Sequence, residues 1–215
     1  MILPQVLILS TQRSGTHLLQ SFLSQHHNVK AHGELFLKFR RNGRLPAMAP
    51  DKVNVGILMY NQFPIFLEAT KAVNESENCK LIHLLRDPHD VALSCLQMEA
   101  DKNMLRGEFR AHFVTTDSDD IAQYIKPETR AKPDLLKLPA KKQKTIEQQN
   151  IFIEVLKDKE HLEVRYEEMA PCNAEVRAID PWLQYKLFAF VGLDDIPVDR
   201  STPYRKSGIN LRTTR

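Results

Sequence analysis

Glycine is scarce in this 215-residue chain, at 7 positions; cysteine stands at 3, tryptophan at 1, and 30 Lys and Arg nearly cancel 27 Asp and Glu, for a net charge of +3. Each shortage excludes something. So few glycines, with 42% hydrophobic and 27% charged residues, exclude collagen and low-complexity disorder and describe an ordinary globular composition. Cys79, Cys95 and Cys172 are odd in number, widely spaced and without a CxxC pair, which argues against a disulfide framework or a zinc site and for reduced, partly buried thiols. The eight histidines form no HExxH, so no metal is expected. The longest apolar stretches, Val6–Leu9 and Leu81–Leu85, fall far short of the roughly 20 residues a bilayer span needs, so no membrane partner is expected. Met1-Ile2-Leu3-Pro4 carries no basic, apolar leader, which makes the cytoplasm the expected location. The small charge excess gives no general nucleic-acid footprint. Seven Lys or Arg nevertheless gather between Lys126 and Lys144 and five between Arg200 and Arg215, which reads as local anion attraction or as solvated faces.

What the chain does have is a repeated grammar of strand, turn and helix. Val6-Leu7-Ile8-Leu9 is the uninterrupted aliphatic run of a strand covered on both faces. Ser10-Thr11-Gln12-Arg13-Ser14-Gly15-Thr16-His17 follows, and then Leu18, Leu19, Phe22 and Leu23 mark one face of a helix. The grammar returns with Leu81–Leu85, then Arg86-Asp87-Pro88, then a helix with Val91, Ala92, Cys95 and Leu96 on its apolar face, Asp87 as its cap and Pro88 at its first position. Between them 33–50 reads as loop and 64–73 as a crossover helix. A helix over about 140–159 is expected to turn Ile146, Ile153 and Leu156 inward, His161–Tyr166 to form another strand, and a last helix after Pro181 to bury Leu183, Leu187, Phe188 and Val191 and end at Gly192. This alternation predicts one α/β domain over 1–215 with a mostly parallel sheet, an irregular insertion at 101–140 and a basic tail at 200–215.

A helix that starts directly after a tight glycine turn offers backbone N–H groups and its positive dipole end to an anion. Ser14-Gly15-Thr16 occupies that position, with Arg13 beside it as a forked cation. The GxxxxGK[ST] pattern of a magnesium-dependent nucleotide triphosphatase is missing, which weakens a kinase reading. Arg86 and Ser94 at the second junction form another candidate anion site, and ligands of parallel sheets gather at the strands' carboxyl ends. Two anion sites there suggest a nucleotide with phosphates on both sides of its ribose.

The chain here resembles the sulfotransferase family that uses 3′-phosphoadenosine-5′-phosphosulfate (PAPS). Gln12 to Leu19 is similar to the family's 5′-phosphosulfate loop, in the Arg-Ser-Gly-Thr form of its tyrosylprotein, carbohydrate and bacterial branches. Arg86-Asp87-Pro88, with Ser94 eight residues after the arginine, resembles the 3′-phosphate motif. Val164-Arg165-Tyr166-Glu167-Glu168-Met169 resembles the RYEDL segment, whose tyrosine lies near the nucleotide. The resemblance covers residues 6 to about 192 and implies a P-loop NTPase-like three-layer sandwich. It further implies PAPS as donor, its product 3′-phosphoadenosine-5′-phosphate (PAP), and no metal.

The resemblance also supplies candidate site residues. The stretch from His26 to Glu34 is similar to a His-Pro-x-Val-x-x-Gly-Glu motif, with one extra residue and no proline, and so implies Glu34 as the base on the acceptor, with His32 as runner-up. Arg13 would neutralise the leaving phosphate, Ser14, Gly15, Thr16 and His17 would hold the 5′-phosphate through their N–H groups, and Arg86 with Ser94 the 3′-phosphate. Tyr166 would lie against the nucleotide. Lys206 and Arg205, in a segment similar to one that closes over the nucleotide, complete the set. The expected partner is a small-molecule or sugar acceptor bearing a hydroxyl, or second an amine; a homodimer is left open. Phe36, Phe39, Met59, Phe63 and Phe66 read as an acceptor pocket or as core. The competing readings are an ATP- and magnesium-dependent phosphotransferase and a non-catalytic nucleotide-binding protein of the same fold.

Overall fold

Strand β1 (Val6–Ser10) is buried at all five positions, and the computed structural model shows why. It lies at the centre of a five-stranded sheet of order β2-β3-β1-β4-β5, the other strands being β2 (Val29–Glu34), β3 (Val53–Met59), β4 (Lys80–Leu85) and β5 (His161–Arg165). Every pairing is parallel. The structure describes residues 3–60, 73–74, 78–104, 131–169 and 180–193. These form two compact units, one built from residues up to Arg86 and from Glu147 onward, the other from Asp87 to Ile146.

The first unit holds the sheet. Successive residues of a strand point to opposite faces, so Val6 and Ile8 enter one apolar cluster and Leu7 and Leu9 another. On the first face, β1 and its neighbours pack against helices α1 (Thr16–Leu23) and α6 (Pro181–Val191) through Leu19, Phe22, Leu187 and Phe188. The second face takes Leu35 and Phe36 of α2 (Leu35–Asn42), and Phe152 and Leu156 near the end of α4 (Leu138–Leu156). Each fully buried Leu or Phe contributes about 2 kcal/mol. The architecture is the P-loop-like α/β sandwich expected. Helix α6 is capped by Asp180, which accepts from Trp182 N and Leu183 N, and ends at Gly192.

Two strands, β2 and β3, stand where the sequence suggested none. Polar residues and Gly56 interrupt them, and Gly56 is required: a Cβ there would lie 2.8 Å from Leu35 Cγ, so the glycine lets α2 settle on the sheet. The loop expected over 33–50 is corrected likewise, because Leu35, Phe36 and Phe39, spaced for one helical face, fold 35–42 into α2. The inward face of α4 is also corrected: Ile153 is exposed and its neighbour Phe152 is buried. Phe36 and Met59 are core, and Phe39 packs on it; Phe63, Phe66 and most of the crossover helix fall outside the described residues.

In the second unit, α3 (Pro88–Met104) begins as predicted, with the Asp87 carboxylate accepting from His89 N at 2.7 Å. Its Gln97 donates to the carbonyl of Ala131, and Lys141 of α4 pairs with Glu99. The described lysines of the basic run are partly spoken for, since Lys137 pairs with Asp134 as Lys141 does with Glu99. A cavity of about 380 Å³ in this unit is lined by Leu96, Glu99, Ala131 and Lys132, among others, none of them a residue the motifs single out. Cys79 is half-buried and Cys95 buried, both free thiols. Burial pushes the Cys79 thiol up to about 12. Cys172 and the tail from 200, with Arg205 and Lys206, lie outside the described residues. Among those described, no helix is long and apolar enough to cross a membrane.

Candidate active site

The carboxyl end of β1 feeds a buried polar turn. Ser10 Oγ donates to the carbonyl of Leu84 on neighbouring β4 at 2.6 Å, and Thr11 and Ser14 hydroxyls meet at 2.8 Å across the turn. Arg13 adopts a left-handed φ of 64°, rare outside glycine, asparagine and aspartate. Gly15 follows at φ 95° as the residue that opens α1, and no side chain caps the helix start. Ser14 and Thr16 are buried beside it.

Three distant segments meet at this turn. Arg86, just past β4, donates from Nη1 to the Arg13 carbonyl at 2.8 Å, so the left-handed residue is held by the second motif's arginine. The guanidinium lies 4.3 Å from the centre of the Tyr166 ring, within cation–π range. That ring closes on the glycine, because a Cβ at Gly15 would sit 2.7 Å from Tyr166 Cε2. Glycine is thus needed twice, for its dihedral and for its missing side chain. Tyr166 opens the short helix α5 (Tyr166–Met169), where Glu168 reaches back to accept from Arg165 N. The Arg86 carbonyl receives the Gln149 amide at 2.8 Å. Arg86 Nε is buried with no hydrogen-bond partner among the described residues.

Glu34 and His32 part company. Ala31 pairs with Val55 and Glu34 with Ile57, so β2 takes three steps where β3 takes two. This is a β-bulge with Gly33 in the left-handed region. Without it His32 and Glu34 would share a face. With it, Glu34 turns toward α1, where its Oε1 lies 3.4 Å from Nε2 of His17. His32 turns the other way, and its Nε2 sits 2.7 Å from Asn54 Oδ1 near the start of β3. The runner-up base is therefore not brought to the turn that gathers Arg13, Gly15, Arg86 and Tyr166. Ser94 is half-buried on α3 in the second unit.

Sequence reasoning missed Ser10, Thr11 and Gln149. The first two carry a signal, since polar residues that end an aliphatic strand before a glycine turn are placed to brace it; Gln149, in a polar helix, carries none. It also used only the backbone of His17, whose side chain reaches Glu34.

A parallel sandwich whose central strand ends in a braced, arginine-bearing glycine turn has the frame of a P-loop-like α/β protein. The chain belongs to the sulfotransferase domain family, which matches it over residues 3–176 and thereby spans parts of both units. The protein is accordingly an enzyme, a sulfotransferase. Among solved structures it resembles the sulfotransferase domain from the curacin biosynthetic pathway, at 19% identity and a TM-score of 0.53, covering 92% of this chain and 77% of that one. A sulfotransferase from Alicyclobacillus acidocaldarius is 16% identical with a TM-score of 0.52, over 95% of this chain and 87% of the other. At such identities the likeness is one of fold. No curated protein matches the chain in sequence.

Proposed function

We propose that this chain transfers the sulfuryl group of PAPS to a hydroxyl, or second an amine, of a small-molecule or sugar acceptor, in line and without a metal. The observation that carries the reading is the meeting of Arg86, Tyr166 and the Arg13–Gly15 turn, three segments that resemble the family's nucleotide motifs and are far apart in sequence. The cradle fits the nucleotide in two respects. Gly15 leaves the backbone bare at a helix start, and the buried Nε of Arg86 has no partner among the described residues, a place a phosphate oxygen could take. Ser94 joins Arg86 on the 3′-phosphate on the strength of its spacing in the sequence, and Lys206 and Arg205 cover the nucleotide on the strength of the resemblance.

The chemistry asks the protein for alignment and charge. Glu34, buried at the end of β2, takes the acceptor proton as the oxygen attacks sulfur. Arg13 and the N–H groups from Ser14 to His17 receive the charge that gathers on the departing 5′-phosphate. Because fixed cations supply this neutralisation, transfer needs no added ion.

Calorimetry with PAP in the presence of a chelator, followed by a labelled-sulfate screen with PAPS over alcohols, phenols, sugars and amines, tests the reading. Chelator-resistant PAP binding and labelled hydroxyl products are expected. Binding of ATP that vanishes with the chelator would instead mean a phosphotransferase, and PAP binding with no transfer to any acceptor a non-catalytic relative.

A further inference from the structure

Resting on the reading of Glu34 as the acceptor base, we propose that His17 is a positioning residue that aims the Glu34 carboxylate at the acceptor. His17 is the second residue of α1 and Glu34 the last of β2, and they meet only because the Gly33 bulge turns Glu34 to the α1 face. Their side chains are 31% and 10% exposed, so the contact is largely screened from water. A carboxylate can only accept, so His17 carries its proton on Nε2 and donates to Oε1. At 3.4 Å the bond is long, as catalytic hydrogen bonds often are before substrate tightens them.

The arrangement registers base and donor from one helix start. Thr16 and His17 are consecutive: the backbone there belongs to the turn that holds the 5′-phosphosulfate, and the His17 side chain orients the base. With Oε1 engaged by His17, Oε2 takes the acceptor proton. The acceptor O–H bond breaks as its oxygen bonds sulfur, and the S–O bond to the 5′-phosphate breaks with its electron pair on the phosphate oxygen. The products are the sulfate ester, PAP and a protonated Glu34. A carboxylate that loses this restraint would spend more of its time off this line, and misplacement of about 1 Å can cost around a hundredfold in rate.

The test compares His17→Ala, His17→Gln and Glu34→Gln, singly and with His17→Ala added to Glu34→Gln, by steady-state transfer and PAP calorimetry. His17→Ala should lower kcat by roughly tenfold to a hundredfold, with PAP affinity and acceptor KM within about twofold. The glutamine amide, which donates from about the same reach, should restore most of the rate. In the Glu34→Gln background His17→Ala should cost nothing more, since there is no base left to aim. An unchanged kcat in His17→Ala, a glutamine variant as slow as the alanine one, or a loss matched by weakened PAP binding would overturn the proposal. A parent chain that binds no PAP would sink the sulfuryl-transfer reading and this one with it, whereas an active parent indifferent to His17→Ala would sink this one alone.

Discussion

Two buried polar clusters sit toward opposite ends of β3 and β1, and they differ in how completely they are satisfied. Toward the amino end, Asn54 donates to the carbonyls of Ala49 and Lys52, accepts from Ala49 N and His32, and has its own N–H taken up by Gln5. At the carboxyl end, Arg13 is held left-handed, Gly15 is pressed by an aromatic ring, and Arg86 keeps a buried nitrogen unmet among the described residues. Satisfied networks specify structure, whereas strain and unmet polar atoms persist where a ligand is to complete them. The first cluster fixes how β2, β3 and the segment before β3 join; the second, on the reading proposed above, is where the nucleotide would sit.

The sharpest way to break this contrast is at Glu34 and His32, two residues apart and on opposite faces. Glu34→Gln should lower kcat by roughly 10² to 10⁴ while leaving PAP binding and thermal stability nearly unchanged. Any comparable fall in kcat from His32→Gln, with Glu34→Gln active, would reverse the assignment of the two faces.

A third buried polar group belongs to neither cluster and tests the rule itself. His83 of β4 packs against Phe152 and His161, and its Nε2 has no partner among the described residues. Burial first, and the charge of nearby His161 second, push it down from 6.5 to about 4. The folded chain thus keeps His83 neutral while the unfolded chain protonates it near the ordinary histidine value. Stability is full above about pH 6.5, falls as the pH drops toward 4, and levels below that. A lowering of this size is worth about 3 kcal/mol. Denaturant melts across that window should show the loss, and His83→Leu should flatten it; an equally steep curve in that variant would mean that other groups drive the acid response.

Next in size is the satisfied network. Asn54→Ala leaves the half-buried Ala49 amide and two carbonyls without their partner, which should cost about 2 kcal/mol and lower Tm by several degrees with kcat unchanged. A variant that keeps its Tm would show that water replaces the side chain there.

Much of this was legible in the sequence, and what was not has physical causes. The aliphatic runs of β1 and β4 and the turns after them announce themselves, because strands covered on both faces are mostly aliphatic, with Ser10 and His83 the buried polar exceptions. Asp87-Pro88 and Gly192 mark their helix ends correctly. Strands β2 and β3 were invisible because the exposed Lys30 and the structurally engaged His32, Asn54 and Gly56 break the apolar pattern. At the site, motif order brought Arg13, Gly15, Arg86 and Tyr166 onto one list, but not their contacts, which depend on how β1, β4 and β5 align. The bulge at Gly33 left no mark in the apolar pattern, because it shows only in how β2 pairs with β3. The inward residue of α4 was missed by one position, since Phe152 and Ile153 are equally apolar and only packing chooses between them.

The smallest effect probes the aromatic wall. Tyr166 does two jobs in the structure: its ring fills the space a side chain at Gly15 would need, and its face lies against the Arg86 guanidinium. Tyr166→Phe keeps both and should change PAP affinity by less than about threefold, since a phenyl face still attracts the cation. Tyr166→Leu removes the cation–π contact, worth about 1 kcal/mol where the cation is partly desolvated, so PAP should bind about fivefold more weakly as Arg86 loses its seat beneath the Arg13 carbonyl. Because that carbonyl is what Arg86 holds, the leucine variant should also loosen the left-handed turn, seen as faster amide exchange at Gly15 and Thr16. If affinity fell while exchange at the turn stayed as slow as before, Tyr166 would be acting on the nucleotide directly, and the carboxyl end would be less a strained cradle than a preformed one.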